Sequence, residues 1–268
     1  MKKFTVIAGS AMTALVLLAA LVSFVWTPFD PSLVDSANRF APLGWPHVLG
    51  TDAMGIDTAS RLLVGARTVV FVGVVSVEGA AVVGIPLGLF AGMRHGWWGE
   101  AISRAGDILF ALPALLLAIL LAAAVGASVV TAMLAIAIAT VPVFIRMARA
   151  ATLTVMELDY IDAARVAGTS EPVIALRHVV PNIAPLIGVQ AAVSFGMAIL
   201  AEAGLSYLGL SASSSTPTWG RMMRDANLFT APAQAVIPGC AIAFAVMGFN
   251  VLGDGLRDYL DPRLKEVR

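Results

Sequence analysis

The sequence has 268 residues, of which 59% are hydrophobic and only 13% are charged, and its formal net charge at pH 7 is zero. Soluble domains carry about a quarter charged residues, so this composition excludes an ordinary soluble protein and predicts an all-α membrane protein forming a single domain over residues 1–268. The zero net charge gives no support to a nucleic-acid partner, and the single cysteine, Cys240, excludes an intrachain disulfide.

Six apolar stretches are each long enough to cross a bilayer as a helix, which takes about 20 residues. They cover residues 4–26, 68–92, 107–125, 128–145, 183–205 and 233–252. The first stretch follows Lys2 and Lys3 in the manner of a signal peptide, yet it is longer than a cleaved core and runs on to an interfacial Trp26. We therefore predict six transmembrane helices, the first of them an uncleaved signal anchor.

The orientation follows from the distribution of Lys and Arg, which favour cytoplasmic loops. With the N-terminus inside, twelve of the 17 basic residues fall on the cytoplasmic side, and those left outside are Arg39, Arg61, Arg67, Arg221 and Arg224. Both termini are therefore predicted to be cytoplasmic. The same assignment gives an external segment at 27–67, a cytoplasmic loop at 147–182 and an external loop at 206–232.

Glycines and acids inside the apolar stretches suggest packing and transport roles. Gly84, Gly88 and Gly92 recur every four residues, a spacing that favours close approach of helices in lipid. Glu78 lies near the middle of the second stretch, and Glu202 lies toward the outer end of the fifth. Because a charge in lipid is costly, both acids are candidates for the transport pathway or its gate. For Glu78, a hydrogen-bonded acid packed between helices is an equal alternative.

The cytoplasmic loop has the pattern of two short helices that meet at a bend. Residues 160–168 predict a helix that ends at Gly168, since glycine readily adopts the left-handed conformation found there. Ser170 is an N-cap type, and Pro172 is favoured in the first turn of a second helix, which Pro181 would end. Small side chains on the first helix leave a surface onto which a groove of another protein can close.

The spacing of an acidic residue, two alanines, a glycine and a later proline resembles the cytoplasmic loop of permease subunits of ABC importers. The residues concerned are Asp162, Ala163, Ala164, Gly168 and Pro181. Asp162 stands where that family has glutamate, and His178 stands where it generally has isoleucine. The run around His178 resembles instead the dipeptide, oligopeptide and nickel branch. The resemblance implies that this loop inserts into a separate ATPase subunit and couples it to transport.

Three further runs are similar to the same branch, at 47–67, 201–220 and 249–263. Val48 and Ile56 depart from the proline and arginine that the branch has in the first run. Asp52 and Asp57 in that run lack the dense oxygen ligands that calcium needs, so no metal site is predicted. The run that contains Glu202 corresponds to the passage from the fifth helix to its external loop, which implies a position near the external gate.

The resemblance implies a type I ABC importer permease fold in a bacterial inner membrane, surrounded by lipid. It further implies a paralogous permease subunit, ATPase subunits that bind ATP and Mg²⁺, and an external binding protein that delivers a di- or oligopeptide. Nickel, glutathione and haem remain alternative cargoes within the same family. An ion-coupled secondary transporter relying on Glu78 is a further alternative, but broken helices and inverted repeats are not evident.

No motif in the sequence supports a nucleotide site or an enzymatic activity. A phosphate-binding loop needs a glycine-rich turn that ends in Lys and Ser or Thr, and the only lysines are Lys2, Lys3 and Lys265. A nucleophile elbow, a zinc-binding helix and paired cysteines are likewise absent. The sequence therefore predicts that the chain is not an enzyme and holds no cofactor.

Overall fold

The computed structural model describes residues 2–94, 96–211, 216–227 and 229–260, and its regular elements there are helices. The long helices are α1 (Lys2–Ser23), α2 (Thr58–Met93), α5 (Val129–Met156), α8 (Val180–Tyr207) and α10 (Ala233–Leu260). The shorter helices are α3 (Trp97–Phe110), α4 (Ala114–Val125), α6 (Asp159–Val166), α7 (Glu171–Ile174) and α9 (Trp219–Asp225). A π-helical turn, Ala175–Val179, joins α7 to α8.

Five of these helices, with α7 and α8 counted as one, are long and apolar enough to cross a membrane. The pair α3 and α4, bent by 82°, makes a sixth span if it is counted as one. The all-α membrane fold is thus confirmed, but the prediction of one helix over 107–125 is wrong. Pro113 at the N-cap of α4 disfavours a helical conformation of the residue before it, which breaks the helix. Alone, α4 with its 12 residues reaches about 18 Å, less than the hydrocarbon thickness.

The long helices also extend beyond the apolar stretches that predicted them. The N-cap of α2 is Asp57, whose Oδ2 accepts a hydrogen bond from the backbone N–H of Ser60 at 2.8 Å. Hydropathy predicted the start of this helix at Thr68, and the end of α5 at Ile145 instead of Met156. The difference arises because hydropathy reports contact with lipid, whereas a helix continues into water when its polar groups are capped and one face packs.

The centre of the bundle is the contact between α2 and α5, with α8 and α10 beside it and α1 along α10. The backbones of α2 and α5 approach closely at Gly84, Gly88 and Gly92. A Cβ atom at Gly88 would lie 2.6 Å from the carbonyl oxygen of Ile145 and 2.7 Å from the Cβ of Ala148. The predicted packing role of the three glycines is therefore confirmed.

The segment between α1 and α2 folds against the start of α2. Asp52 forms an ion pair with Arg61, and Asp57 Oδ1 lies 3.0 Å from Nδ1 of His47. The His47 ring contacts that of Phe29, with centroids 4.5 Å apart. Asp52 and Asp57 therefore serve as an ion-pair partner and a helix cap in this segment.

Candidate functional site

The segment that joins α5 to α8, residues 157–179, is a folded unit and is called here the α6–α7 segment. Its buried side chains include Ile161 of α6, Ile174 of α7 and Val179, each 0% exposed. They pack with Val155, Met156 and Ile183 of the adjoining helices, and Leu89 and Met93 of α2 contact the same cluster. The α6–α7 segment is thereby attached to the ends of α2, α5 and α8 at once.

The bend between α6 and α7 has the geometry of a Schellman motif centred on Gly168. The backbone N–H of Gly168 donates to the carbonyl of Arg165 at 2.9 Å, and that of Thr169 donates to the carbonyl of Ala164 at 3.0 Å. Gly168 has a φ of +81°, and a Cβ atom there would meet nothing within 4 Å. Glycine is therefore favoured here because of its positive φ angle, and a side chain would not meet a steric clash. The sequence analysis predicted this left-handed conformation at Gly168.

Arg165 connects the two helices of the segment through both of its neighbouring carboxylates. Its Nε donates to Glu171 Oε1 at 3.0 Å, and its Nη1 donates to Asp162 Oδ1 at 3.3 Å. The hydrogen bond to Glu171 is the main reason why the pKa of the Arg165 guanidinium is raised. Asp162, the predicted coupling residue, is therefore oriented by Arg165 and remains exposed to a partner.

The outer face of the segment exposes small and apolar side chains. Ala163 is exposed but Ala164 is half-buried, because Ala164 lies against the inner cluster. Val166 is 90% exposed, and Tyr160 is also exposed. Apolar side chains exposed outside a membrane span are typical of surfaces that bind another protein.

The prediction that Pro181 ends the second helix is wrong. Glu171–Tyr207 forms one stretch of 37 residues, and Pro181 lies in the first turn of α8. The π-helical turn explains this continuity: the backbone N–H of Val180 bonds to the carbonyl of Ala175, five residues back. The wider turn leaves room for the proline ring, whose missing N–H would interrupt an α-helix.

His178 belongs to a contact that sequence analysis did not find. Its ring lies near that of Tyr160, with centroids 6.0 Å apart and ring planes tilted by 49°. Nδ2 of Asn182 donates to the carbonyl of His178 at 2.6 Å and to the hydroxyl of Tyr160 at 3.2 Å. These three residues attach α6 to the start of α8. From the sequence, the run around His178 was assigned only a family resemblance, and no contact with Tyr160 was predicted.

The two intramembrane acids have very different surroundings. Glu202 is 0% exposed, and its Oε1 accepts a hydrogen bond from Ser211 Oγ at 3.5 Å. Its Oε2 has no hydrogen-bond partner among the residues that the structure describes. Glu78 on α2 is exposed instead. Glu78 and Glu202 therefore do not belong to one common site.

Above Glu202, helix α9 covers the ends of α8 and α2. Trp219 is 4% exposed, and its Nε1 donates to the carbonyl of Leu62 on α2 at 2.9 Å. Thr218, the N-cap of α9, hydrogen-bonds to the hydroxyl of Ser206 on α8. The indole ring fits against α2 only because Gly65 has no side chain, since a Cβ there would lie 2.7 Å from the ring.

A groove of about 790 Å³ runs between α8 and α10 and is lined mainly by apolar side chains. Leu200 and Tyr207 line it from α8, and Asn250 and Asp254 line it from α10. Asp254 belongs to the C-terminal run 249–263, to which the sequence assigned no role beyond the family resemblance. The rest of that C-terminal run, 261–263, lies outside the described residues.

Comparisons with known proteins agree with this arrangement. The family of binding-protein-dependent transport system inner membrane components matches residues 84–266. The dipeptide transport system permease protein DppC of Alkalihalophilus pseudofirmus is 41% identical over 263 residues, covering 94% of this chain and 86% of the relative. The glutathione transport system permease protein GsiD of Pectobacterium atrosepticum is 42% identical over 221 residues, covering 82% of this chain and 73% of the relative.

A chain of the MetNI methionine ABC transporter, solved in an inward-facing conformation, has a similar fold. The TM-score is 0.57 at 16% sequence identity, and the match covers 73% of this chain and 95% of that chain. The family match and the apolar helices identify a multi-pass protein of the bacterial inner membrane. This chain accordingly belongs to the inner-membrane components of binding-protein-dependent transport systems, and it is a permease subunit of an ABC importer.

Proposed function

We propose that this permease imports di- or oligopeptides that an external binding protein delivers. Relatives are named for dipeptides, for di- and tripeptides, and for glutathione. Glutathione is itself a tripeptide, so the cargoes in these names share peptide-type amides and free carboxylates. A second, paralogous permease subunit completes the pathway in this proposal, and separate ATPase subunits bind ATP and Mg²⁺.

The α6–α7 segment is the observation that carries the coupling role in this proposal. Ile161 and Ile174 attach it to three long helices, so a force applied to the segment reaches all three. The exposed Ala163 and Val166 offer a surface into which a partner can close. A ligand shifts a conformational equilibrium only through different interactions with the two states, and the bound ATPase supplies that difference here.

The acids take separate roles in the proposed pathway. Glu202 lies buried beneath the α9 cover, which supports a role in fixing the external end of α8 as part of a gate. Glu78 is exposed near the middle of α2, where lipid contact would be costly, which supports a position facing water or a partner subunit. The α8–α10 groove is the surface that we assign to the partner permease and the cargo.

Transport by the reconstituted complex tests the cargo and the energy source together. Proteoliposomes would contain this chain, the neighbouring permease, the ATPase subunits and the binding protein. We expect uptake of labelled dialanine when ATP is present and no uptake when only an ion gradient is present. Glutathione and Ni²⁺ serve as the comparison cargoes. Uptake of Ni²⁺ but not of either peptide would reject the proposed cargo class.

The proposed orientation places both termini and the α6–α7 segment in the cytoplasm. In a Cys240→Ala background, Ser170→Cys should react with an impermeant maleimide only after the inner side is opened. Ser36→Cys, between α1 and α2, should react in intact spheroplasts. Ser36 and Ser170 are both exposed, so accessibility does not limit either reaction. The opposite labelling pattern would reverse the whole orientation.

A further inference from the structure

A groove that contains charged side chains lies between α3 and α5, away from the surfaces assigned above. Its volume is about 320 Å³. Ser103 and Asp107 line it from α3, and Arg146, Arg149 and Leu153 line it from α5. Two arginines in one groove beside a membrane span require an explanation, since cations within or next to lipid are costly unless they are paired.

One of the two arginines is paired within the chain. Nη2 of Arg146 donates to Asp107 Oδ1 at 2.9 Å, and its guanidinium lies 4.6 Å from the ring centre of Phe110. This pair neutralises the carboxylate of the groove. Arg149 is different: it is half-buried, and its Nε atom is buried with no hydrogen-bond partner in the described part of the chain. The groove therefore has one positive charge in excess, that of Arg149.

The position of the groove along α5 indicates its depth in the membrane. No charged residue occurs in α5 before Arg146, and the helix begins at Val129. About 20 helical residues cross the hydrocarbon layer, so Arg146 and Arg149 lie where α5 leaves it. Trp97 and Trp98 at the start of α3 are 65% and 56% exposed, and tryptophan is enriched at this boundary. The groove consequently opens at the level of lipid headgroups.

We propose that the α3–α5 groove binds a phosphate-bearing anion, and that its occupant in the membrane is the headgroup of an anionic phospholipid. The planar guanidinium of Arg149 can present the N–H groups of its two Nη atoms to two phosphate oxygens, since only its Nε is buried. The hydroxyl of Ser103 donates to the carbonyl of Gly99 at 2.8 Å, so its proton is not available to the anion and the arginine supplies the donors. Basic pockets between helices at this level are typical sites for acidic lipid headgroups.

Lipid binding to the full chain in a neutral detergent tests this proposal by native mass spectrometry. The probes are phosphatidylglycerol, phosphatidylcholine and inorganic phosphate. We expect phosphatidylglycerol to bind the wild type, and Arg149→Gln to weaken it by about tenfold or more, as for loss of a charged hydrogen-bonded pair. The matched control is Arg104→Gln on α3, an exposed arginine paired with Glu100 outside the groove, which should change binding by less than about twofold.

Arg149→Lys keeps the charge but loses the fork, so an intermediate affinity is expected for it. This variant also separates lost binding from lost folding, which size-exclusion chromatography monitors for each protein. Equal phosphatidylglycerol binding by the wild type and Arg149→Gln would overturn the site. Equal binding of phosphatidylcholine and phosphatidylglycerol would do the same. Displacement of the lipid by millimolar inorganic phosphate would overturn the headgroup assignment and make free phosphate the occupant.

Discussion

Gly168→Val is expected to abolish ATP-dependent uptake while the chain stays in the membrane at a near-normal level. The φ of +81° at Gly168 lies in the left-handed region, which costs a residue with a Cβ about 1–2 kcal/mol and a β-branched one more. The Schellman bend would then open, and the outer face of α6 would lose its fixed position relative to α7. The Ile161 and Ile174 anchors lie outside the bend, so the membrane helices should fold normally.

The matched control at this position is Gly168→Asn. Asparagine tolerates the left-handed conformation better than other residues with a Cβ, and the space around Gly168 is open. We therefore expect Gly168→Asn to retain much of the uptake. Equal loss of uptake in Gly168→Val and Gly168→Asn would show that the positive φ angle at Gly168 does not determine transport activity.

The exposed Ala163 allows a second, independent test of the same surface. Ala163→Trp adds bulk to the outer face of α6 without changing the bend, and uptake should again be abolished because the partner groove can no longer close. Ala163→Ser is the control and should transport normally. ATPase activity of the assembled complex, measured with uptake, distinguishes failed docking from failed transmission. Full uptake with Ala163→Trp would remove the coupling role assigned to the α6–α7 segment.

Trp219→Ala should destabilise the protein strongly, because it removes the packing of α9 against α2 and α8. Truncation of a buried tryptophan costs about 3–5 kcal/mol, and Trp219 is 4% exposed between α2 and α8. The substitution also leaves the carbonyl of Leu62 without the indole donor. A lower midpoint of thermal unfolding in detergent, followed by intrinsic fluorescence, is the expected observation.

Two controls separate the contributions to this loss of stability. Trp219→Phe keeps most of the packing and loses only the hydrogen bond, so a cost of about 1 kcal/mol is expected. Trp45→Ala removes a tryptophan that is 92% exposed and should change the free energy of unfolding by less than about 0.5 kcal/mol. A Trp219→Ala protein that unfolds at the wild-type midpoint would show that α9 contributes nothing to stability.

Local sequence patterns predicted the parts of the fold that depend on few residues. Gly168 ends α6 because a single glycine favours a left-handed C-terminal turn, and spaced glycines on α2 pack because small residues allow close backbone approach. Asp162 and Ala163 were predicted as coupling residues from a family resemblance in their spacing; both are exposed on α6, and their coupling role stays a prediction. These features are readable because their cause lies within one or two turns of helix.

Features that depend on distant partners could not be read in the same way. Pro181 has the local signature of a helix end, and only the π-helical turn before it allows the helix to continue. Hydropathy did not show the break between α3 and α4, because both sides of it are apolar. Arg149 is left without an acidic partner in the groove because Arg146 pairs with Asp107. Asp107 lies on another helix, α3, so local sequence does not reveal this pairing.

The unbroken course of Glu171–Tyr207 makes this stretch a lever arm. Its 37 residues measure about 55 Å end to end, since each helical residue adds about 1.5 Å. One end lies beside the Gly168 bend, and the other lies beneath α9 and carries Glu202. A tilt of about 5° with one end fixed moves the other by about 5 Å, roughly the rise of one helical turn. A small rotation imposed at the α6–α7 segment is therefore sufficient, by geometry alone, to shift the position of Glu202 relative to its neighbours across the membrane.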